Sequence, residues 1–263
     1  MRNTKWKQIW DVLYPVVLYL IVSDCIYMLL VLAIGTNTVS PMMLQILTAL
    51  LSSPPVLYLY ASDRKGRQIP QNKKDVRKNL LRLLLVSIAS VCLAVSLNNL
   101  IGMTGLQERS VTYQKVNASF FSSTLLVELF GTSLVTPVLE EILYRGIIYE
   151  RLKRYGKTEM AILLSGLIFG AMHFNLVQFL YAGLIGMFLA VVYETEGTLL
   201  APILAHAAAN AVSVLRVETG FLSSFSKENQ FFFPISLFLF VISIIIARNL
   251  TKGRLFEKQF RHN

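Results

Sequence analysis

Eight long apolar runs follow one another along the 263-residue chain, at approximately 9–34, 41–61, 80–103, 120–139, 160–174, 176–193, 198–217 and 231–248, with short polar stretches between them. A helix rising 1.5 Å per residue needs about 20 mostly apolar residues to cross a hydrocarbon layer about 30 Å thick. The pattern therefore predicts an all-α polytopic membrane helix bundle of about eight transmembrane helices, forming a single integral membrane domain over 1–263. The runs 160–174 and 198–217 are the weakest members of the series. Composition agrees: 54% of residues are hydrophobic and 15% charged, where soluble domains carry about 25% charged residues. The first run is too long for the apolar segment of a cleaved signal, so it is read as a retained span.

The net charge of +10, from 25 Lys and Arg against 15 Asp and Glu, has to be read against that membrane. In a soluble chain it would raise the question of nucleic acid, but no aromatic-basic groove motif accompanies it and no nucleic-acid partner is expected. With a cytoplasmic N-terminus, the segments 1–8, 62–82, 140–159, 194–197 and 248–263 fall inside and hold 21 of the 25 basic residues; Arg109, Lys115, Arg216 and Lys227 remain outside. That asymmetry is what the positive-inside rule requires, and it predicts that both termini are cytoplasmic. The basic run at 62–82 also suits anionic headgroups, although a solvated loop is the simpler reading. Cys25 and Cys92 both lie in apolar runs, so no disulfide framework is implied.

Ionisable groups inside spans cost at least ~2.5 kcal/mol each near the bilayer centre, which makes each one a functional candidate. Asp24 and Glu128 stand alone, as helix-packing or pore-facing acids often do. The dense set is Glu140, Glu141 and Arg145, then His173, then His206 and Asn210. On a helix Glu141 and Arg145 are four apart and share a face, whereas Glu140 points about 100° away. One carboxylate is then tethered while its neighbour stays available as a proton acceptor. Pro137 is expected to disrupt the helix one turn earlier. The plainer alternative is a salt-bridged helix end at the membrane surface, since Arg151, Lys153 and Arg154 follow closely.

Phe169 and His173 also share a face at i and i+4, and Gly166 and Gly170 form a ridge that admits a close neighbouring helix. His206 and Asn210 repeat the spacing in an Ala-rich helix. Counted from the cytoplasmic ends of their helices, Glu140 lies about 15 Å deep, His206 about 14 Å and His173 about 24 Å. A cavity opening to the cytoplasm and reaching mid-membrane is the expected meeting place.

These residues resemble the CPBP intramembrane proteases, the group that includes type II CAAX-processing enzymes and bacteriocin-processing or immunity proteins. The family pattern is E-E-x-x-x-R, F-x-x-x-H and H-x-x-x-N or D on successive helices, here Glu140-Glu141 to Arg145, Phe169 to His173 and His206 to Asn210. The resemblance covers roughly residues 120–215, with a catalytic core at about 120–217. It implies an intramembrane endopeptidase in which Glu140 activates a water, His173 assists, and His206 and Asn210 stabilise the oxyanion. Glu141, Arg145 and Phe169 would be supporting residues. It also implies a peptide or lipidated protein substrate and a multi-pass position in a cell membrane, a bacterial plasma membrane being favoured. No cofactor is certain. Zinc is the one candidate, with Glu140, His173 and His206 as its two-His, one-carboxylate ligands. Two other functions remain: a non-enzymatic immunity or scaffold protein on the same fold, and a transporter or channel using the buried acids, for which no inverted repeat speaks.

Overall fold

The computed structural model describes residues 5–35, 38–67, 76–221 and 230–259. All regular structure in them is helical: α1 (Lys5–Ile34), α2 (Pro41–Arg67), α3 (Val76–Met103), short α4 (Leu106–Arg109) and α5 (Val111–Phe120), long α6 (Leu125–Tyr155), α7 (Thr158–Ala171), α8 (Leu176–Glu196), α9 (Leu200–Thr219) and α10 (Phe232–Gln259). The chain is thus an all-α polytopic membrane bundle. Among the described residues six helices are long and apolar enough to cross a bilayer, and a seventh span results if the bent pair α5–α6 is taken together. The expected eight are corrected at one place, the run 160–174: α7 has 14 residues, which gives it only about 21 Å of length.

A second correction concerns the run 120–139. It does not end before the acidic motif. Helix α6 continues to Tyr155, with π-helical stretches at Gly131–Val135 and Ile142–Tyr149 on either side of the motif. Pro137 does not break it, because Pro137 sits at the start of the α-helical piece that follows the first π stretch. Widened turns of this kind absorb a missing N–H and recur at functional sites. Glu140, Glu141 and Arg145 consequently lie in mid-helix, not at a salt-bridged helix end.

The bundle has two chemically distinct ends. At one, buried Arg151 donates to Asp63 at 2.9 Å, to the Asp11 carbonyl at 2.6 Å and to the Tyr14 hydroxyl at 2.9 Å, joining α6 to α1 and α2. Arg82 pairs with Glu196 and Lys153 with Glu194 at the same end. At the other end hydrogen bonds to uncharged side chains do the joining: Gln45 to Ser119, Asn99 to Ser236, and the Arg216 guanidinium to the side-chain Oδ1 of Asn99 at 2.6 Å. There α5 meets α6 at a bend of 108°, so α5 lies across the bundle end.

Outward surfaces are apolar. The most hydrophobic stretch of α1 has no residue buried inside the protein, and Leu32 is 83% exposed. The chain's two tryptophans, Trp6 and Trp10, are both exposed near the start of α1 at the Arg151 end, the position of an interfacial aromatic belt. Inside, α7 and α8 approach through glycine. A Cβ on Gly170 would lie 2.6 Å from the Phe179 carbonyl oxygen, and one on Gly166 would lie 2.9 Å from that of Gly183. The expected small-residue ridge is therefore real, and it seats against α8.

Candidate active site

Glu140 and Glu141 diverge as their adjacent positions on α6 dictate. Glu141 is completely buried, and its Oε1 accepts from Arg145 Nη1 at 2.8 Å and lies 2.9 Å from His206 Nδ1. The expected i,i+4 pair is present, and Arg145 also donates from Nη2 to the Gly186 carbonyl at 2.7 Å. Its guanidinium further stacks 4.9 Å from the centroid of the Phe169 ring. Glu140 keeps 22% of its side-chain surface accessible and faces a cavity.

His206 stands between the two acids, with Nε2 3.7 Å from Glu140 Oε2. That separation is beyond a hydrogen bond. With Nδ1–H donated to Glu141, the outward Nε2 of His206 is an acceptor when the ring is neutral and a donor when it is protonated. His173 is held differently. Its Nδ1 is 3.0 Å from the Phe169 carbonyl oxygen, and Asn175 Nδ2 donates to the His173 carbonyl at 3.0 Å. A carbonyl partner fixes a proton on Nδ1, so in the neutral ring Nε2 of His173 carries the lone pair. Just beyond α7, Phe174 adopts φ +55°, a left-handed conformation that costs a bulky residue about 1–3 kcal/mol. It turns the chain sharply into α8 directly after His173. Asn210 donates one amide hydrogen to the Thr132 carbonyl at 2.7 Å, so the Nδ2 group keeps a second N–H.

Glu140, His173, His206, Asn210 and Phe169 all line one cavity, and the Phe169 ring meets both imidazoles edge-on at 5.2 and 5.8 Å. Sequence reasoning missed other members of its wall: Asn98, Gln107, Asn117, Thr132, Gln178 and Tyr181. One of them was findable. Asn175 and Gln178 are spaced like a helix-capping pair, and the Asn175 side chain accepts from the Gln178 N–H at 2.9 Å. The two lone acids fall elsewhere. Glu128 accepts from the Ser123 N–H at the α5–α6 bend, and Asp24 is exposed on α1.

The depths also resolve. Counted from Tyr155, Glu140 is 15 residues along α6, or about 22 Å, close to the 24 Å of His173. His206 reaches the same level because α9 starts inside the bundle: Leu199 packs beside Gly146, nine residues in from Tyr155. Reckoning all helices as if they began level hid this. The cavity wall consists of the ends of α3, α7 and α9 and the beginnings of α6 and α8, together with α4 and α5. It therefore opens at the α5 end of the bundle, opposite the Arg151 end, whereas a cavity at the basic-loop end was expected.

The expected zinc ligands Glu140, His173 and His206 share one cavity wall. Among the described residues no group of three His, Cys, Asp or Glu side chains is arranged to hold a metal ion. No step below is routed through one.

A carboxylate, two imidazoles and an amide thus meet in one cavity of a polytopic helix bundle, groups able to take a proton from water and to donate to a developing negative charge. Residues 122–212, which carry all three motifs, match the family described as type II CAAX prenyl endopeptidase Rce1-like. Over 86 residues the chain is 37% identical to YdiL of Bacillus subtilis (strain 168), provisionally named a membrane peptidase. That alignment covers 32% of this chain and 34% of the relative, about a third of the relative's length. No solved structure matches the chain. Both matches support a CPBP family intramembrane protease, the resemblance carried by the motifs.

Proposed function

We propose that the chain is an intramembrane endopeptidase that hydrolyses a peptide bond with a water activated by Glu140. The observation that carries this reading is the contrast between neighbouring acids. Glu141 is buried and held by Arg145 and His206, while Glu140 faces the cavity with no hydrogen bond to either.

In this reading Glu140 takes a proton from a water as the water oxygen attacks the substrate carbonyl carbon. His173 Nε2 accepts the second water hydrogen as a hydrogen bond and orients the attack. Negative charge collects on the carbonyl oxygen, where the free N–H of Asn210 and Nε2–H of protonated His206 donate to it. The charge His206 carries as a donor is matched by the developing oxyanion, while Glu141, matched by Arg145, orients the ring. Glu140 then passes its proton to the amide nitrogen, the C–N bond breaks, and a carboxylic acid and an amine leave. Removal of such a general base costs about 10²–10⁴-fold in rate.

The test is a cell-based cleavage assay with membrane peptidomics, comparing the native chain with Glu140→Gln. Processing should disappear while the amount of membrane-inserted protein is unchanged. Processing that continues at the native rate overturns the reading.

A further inference from the structure

The cavity's side of the membrane follows from two independent observations. First, charge is sorted between the bundle ends. By sequence, the segments flanking the helix ends at the Arg151 end carry all but five of the 25 Lys and Arg residues; of these five, Arg109, Lys115 and Arg216 adjoin the α5 end, Lys227 falls in the sequence between α9 and α10 outside the described residues, and Arg145 is buried. Lys and Arg near helix ends are retained on the cytoplasmic side. The exposed Trp6 and Trp10 place a membrane interface at that same end. Second, the cavity opens at the other end. Gln107, Tyr113, Asn117 and Phe121 of the α4–α5 segment line it at that end, where α5 turns 108° from the direction of α6.

We infer that the site opens on the extracytoplasmic face, and that its substrate is the extracytoplasmic segment of a membrane-anchored or exported polypeptide. This rests on the protease reading for the word substrate, but the sidedness stands apart from it. The wall chemistry fits an extended backbone in that position. Glu140 is the one Asp, Glu, Lys or Arg side chain among the described residues of the wall, and neutral amides of Asn98, Gln107, Asn117, Gln178 and Asn210 provide the polar contacts. Such groups pair with peptide N–H and C=O groups that have left water. A modified chain end held in the cytosol would approach the opposite, salt-bridged end, where buried Arg151 and the charged pairs around it join the helices.

The test is cysteine labelling of the full-length chain in bacterial cells with an intact plasma membrane, after removal of any outer membrane. Cys25→Ser and Cys92→Ser remove the native thiols, both of which are free. Thr112→Cys on α5 and Glu159→Cys at the start of α7 then report the two ends. Both positions are exposed and neither substitution alters the Lys and Arg count. A membrane-impermeant maleimide should label Thr112→Cys in intact cells and Glu159→Cys only after permeabilisation, with each signal normalised to labelling in detergent. Labelling of Glu159→Cys in intact cells, or of Thr112→Cys only after permeabilisation, overturns the sidedness. Because labelling needs no activity, that result leaves the protease reading intact. Conversely, continued processing by Glu140→Gln overturns the protease reading and leaves the sidedness intact.

Discussion

Arg145 on α6 reaches the carbonyl oxygen of Gly186 on α8 at 2.7 Å, so one buried guanidinium fastens the helix that bears the acids to the helix that follows His173. The same side chain neutralises Glu141. Its planar fork serves both partners at once, which a single ammonium cannot do in the same geometry.

Arg145→Ala should therefore destabilise the protein by about 3–5 kcal/mol, the usual consequence of leaving a buried charge without its partner. Arg145→Lys should recover part of the stability and little of the activity. Thermal unfolding in detergent, read alongside cleavage, checks both. An Arg145→Lys variant with native turnover would show that the bond to Gly186 is dispensable.

Gly170→Ala places a methyl group 2.6 Å from a backbone carbonyl on α8, and no flexible side chain is available there to move aside. Helices α7 and α8 must separate, at about 1–3 kcal/mol for an overpacked contact. His173 follows Gly170 by less than one turn, so turnover should fall together with the melting temperature. Native values of both would mean that the two helices can part without cost.

Asn210→Ala removes the amide that is anchored on Thr132 and keeps an N–H toward the cavity. Turnover should fall by about 10²–10³-fold with KM nearly unchanged, as when a donor acts mainly on developing charge. A rise in KM at constant kcat would instead assign Asn210 to substrate binding.

Treatment with EDTA, followed by metal analysis of the purified protein, should leave processing at its starting rate. Stoichiometric zinc removed together with activity, and restored with it, would give Glu140, His173 and His206 the ligand role that their described positions do not fill.

The class of fold and the three motifs were legible because ionisable residues stand out against an apolar background. The pairing of Glu141 with Arg145 needed nothing beyond helical spacing. Pro137 misled, since a rule for α-helix interiors takes no account of a preceding π stretch. Arg151 was hidden among Lys153 and Arg154. It is set apart only by Asp11 and Asp63, 140 and 88 positions away. The cavity's wall was equally opaque, because Asn98, Asn117 and Gln178 come from three helices whose order along the chain says nothing of their meeting.

Below the acids, toward the Arg151 end, α6 presents Ile147, Ile148 and Tyr149, none of them accessible to solvent. Among the described residues the cavity wall reaches no residue of the Arg151 end, so the cavity is a blind well above a floor of buried apolar side chains. The membrane potential drops across that floor, at about 2.3 kcal/mol per charge per 100 mV, and not along the well. In the protease reading, proton transfers at Glu140 would then proceed at the electrical potential of the mouth, leaving the bilayer insulating.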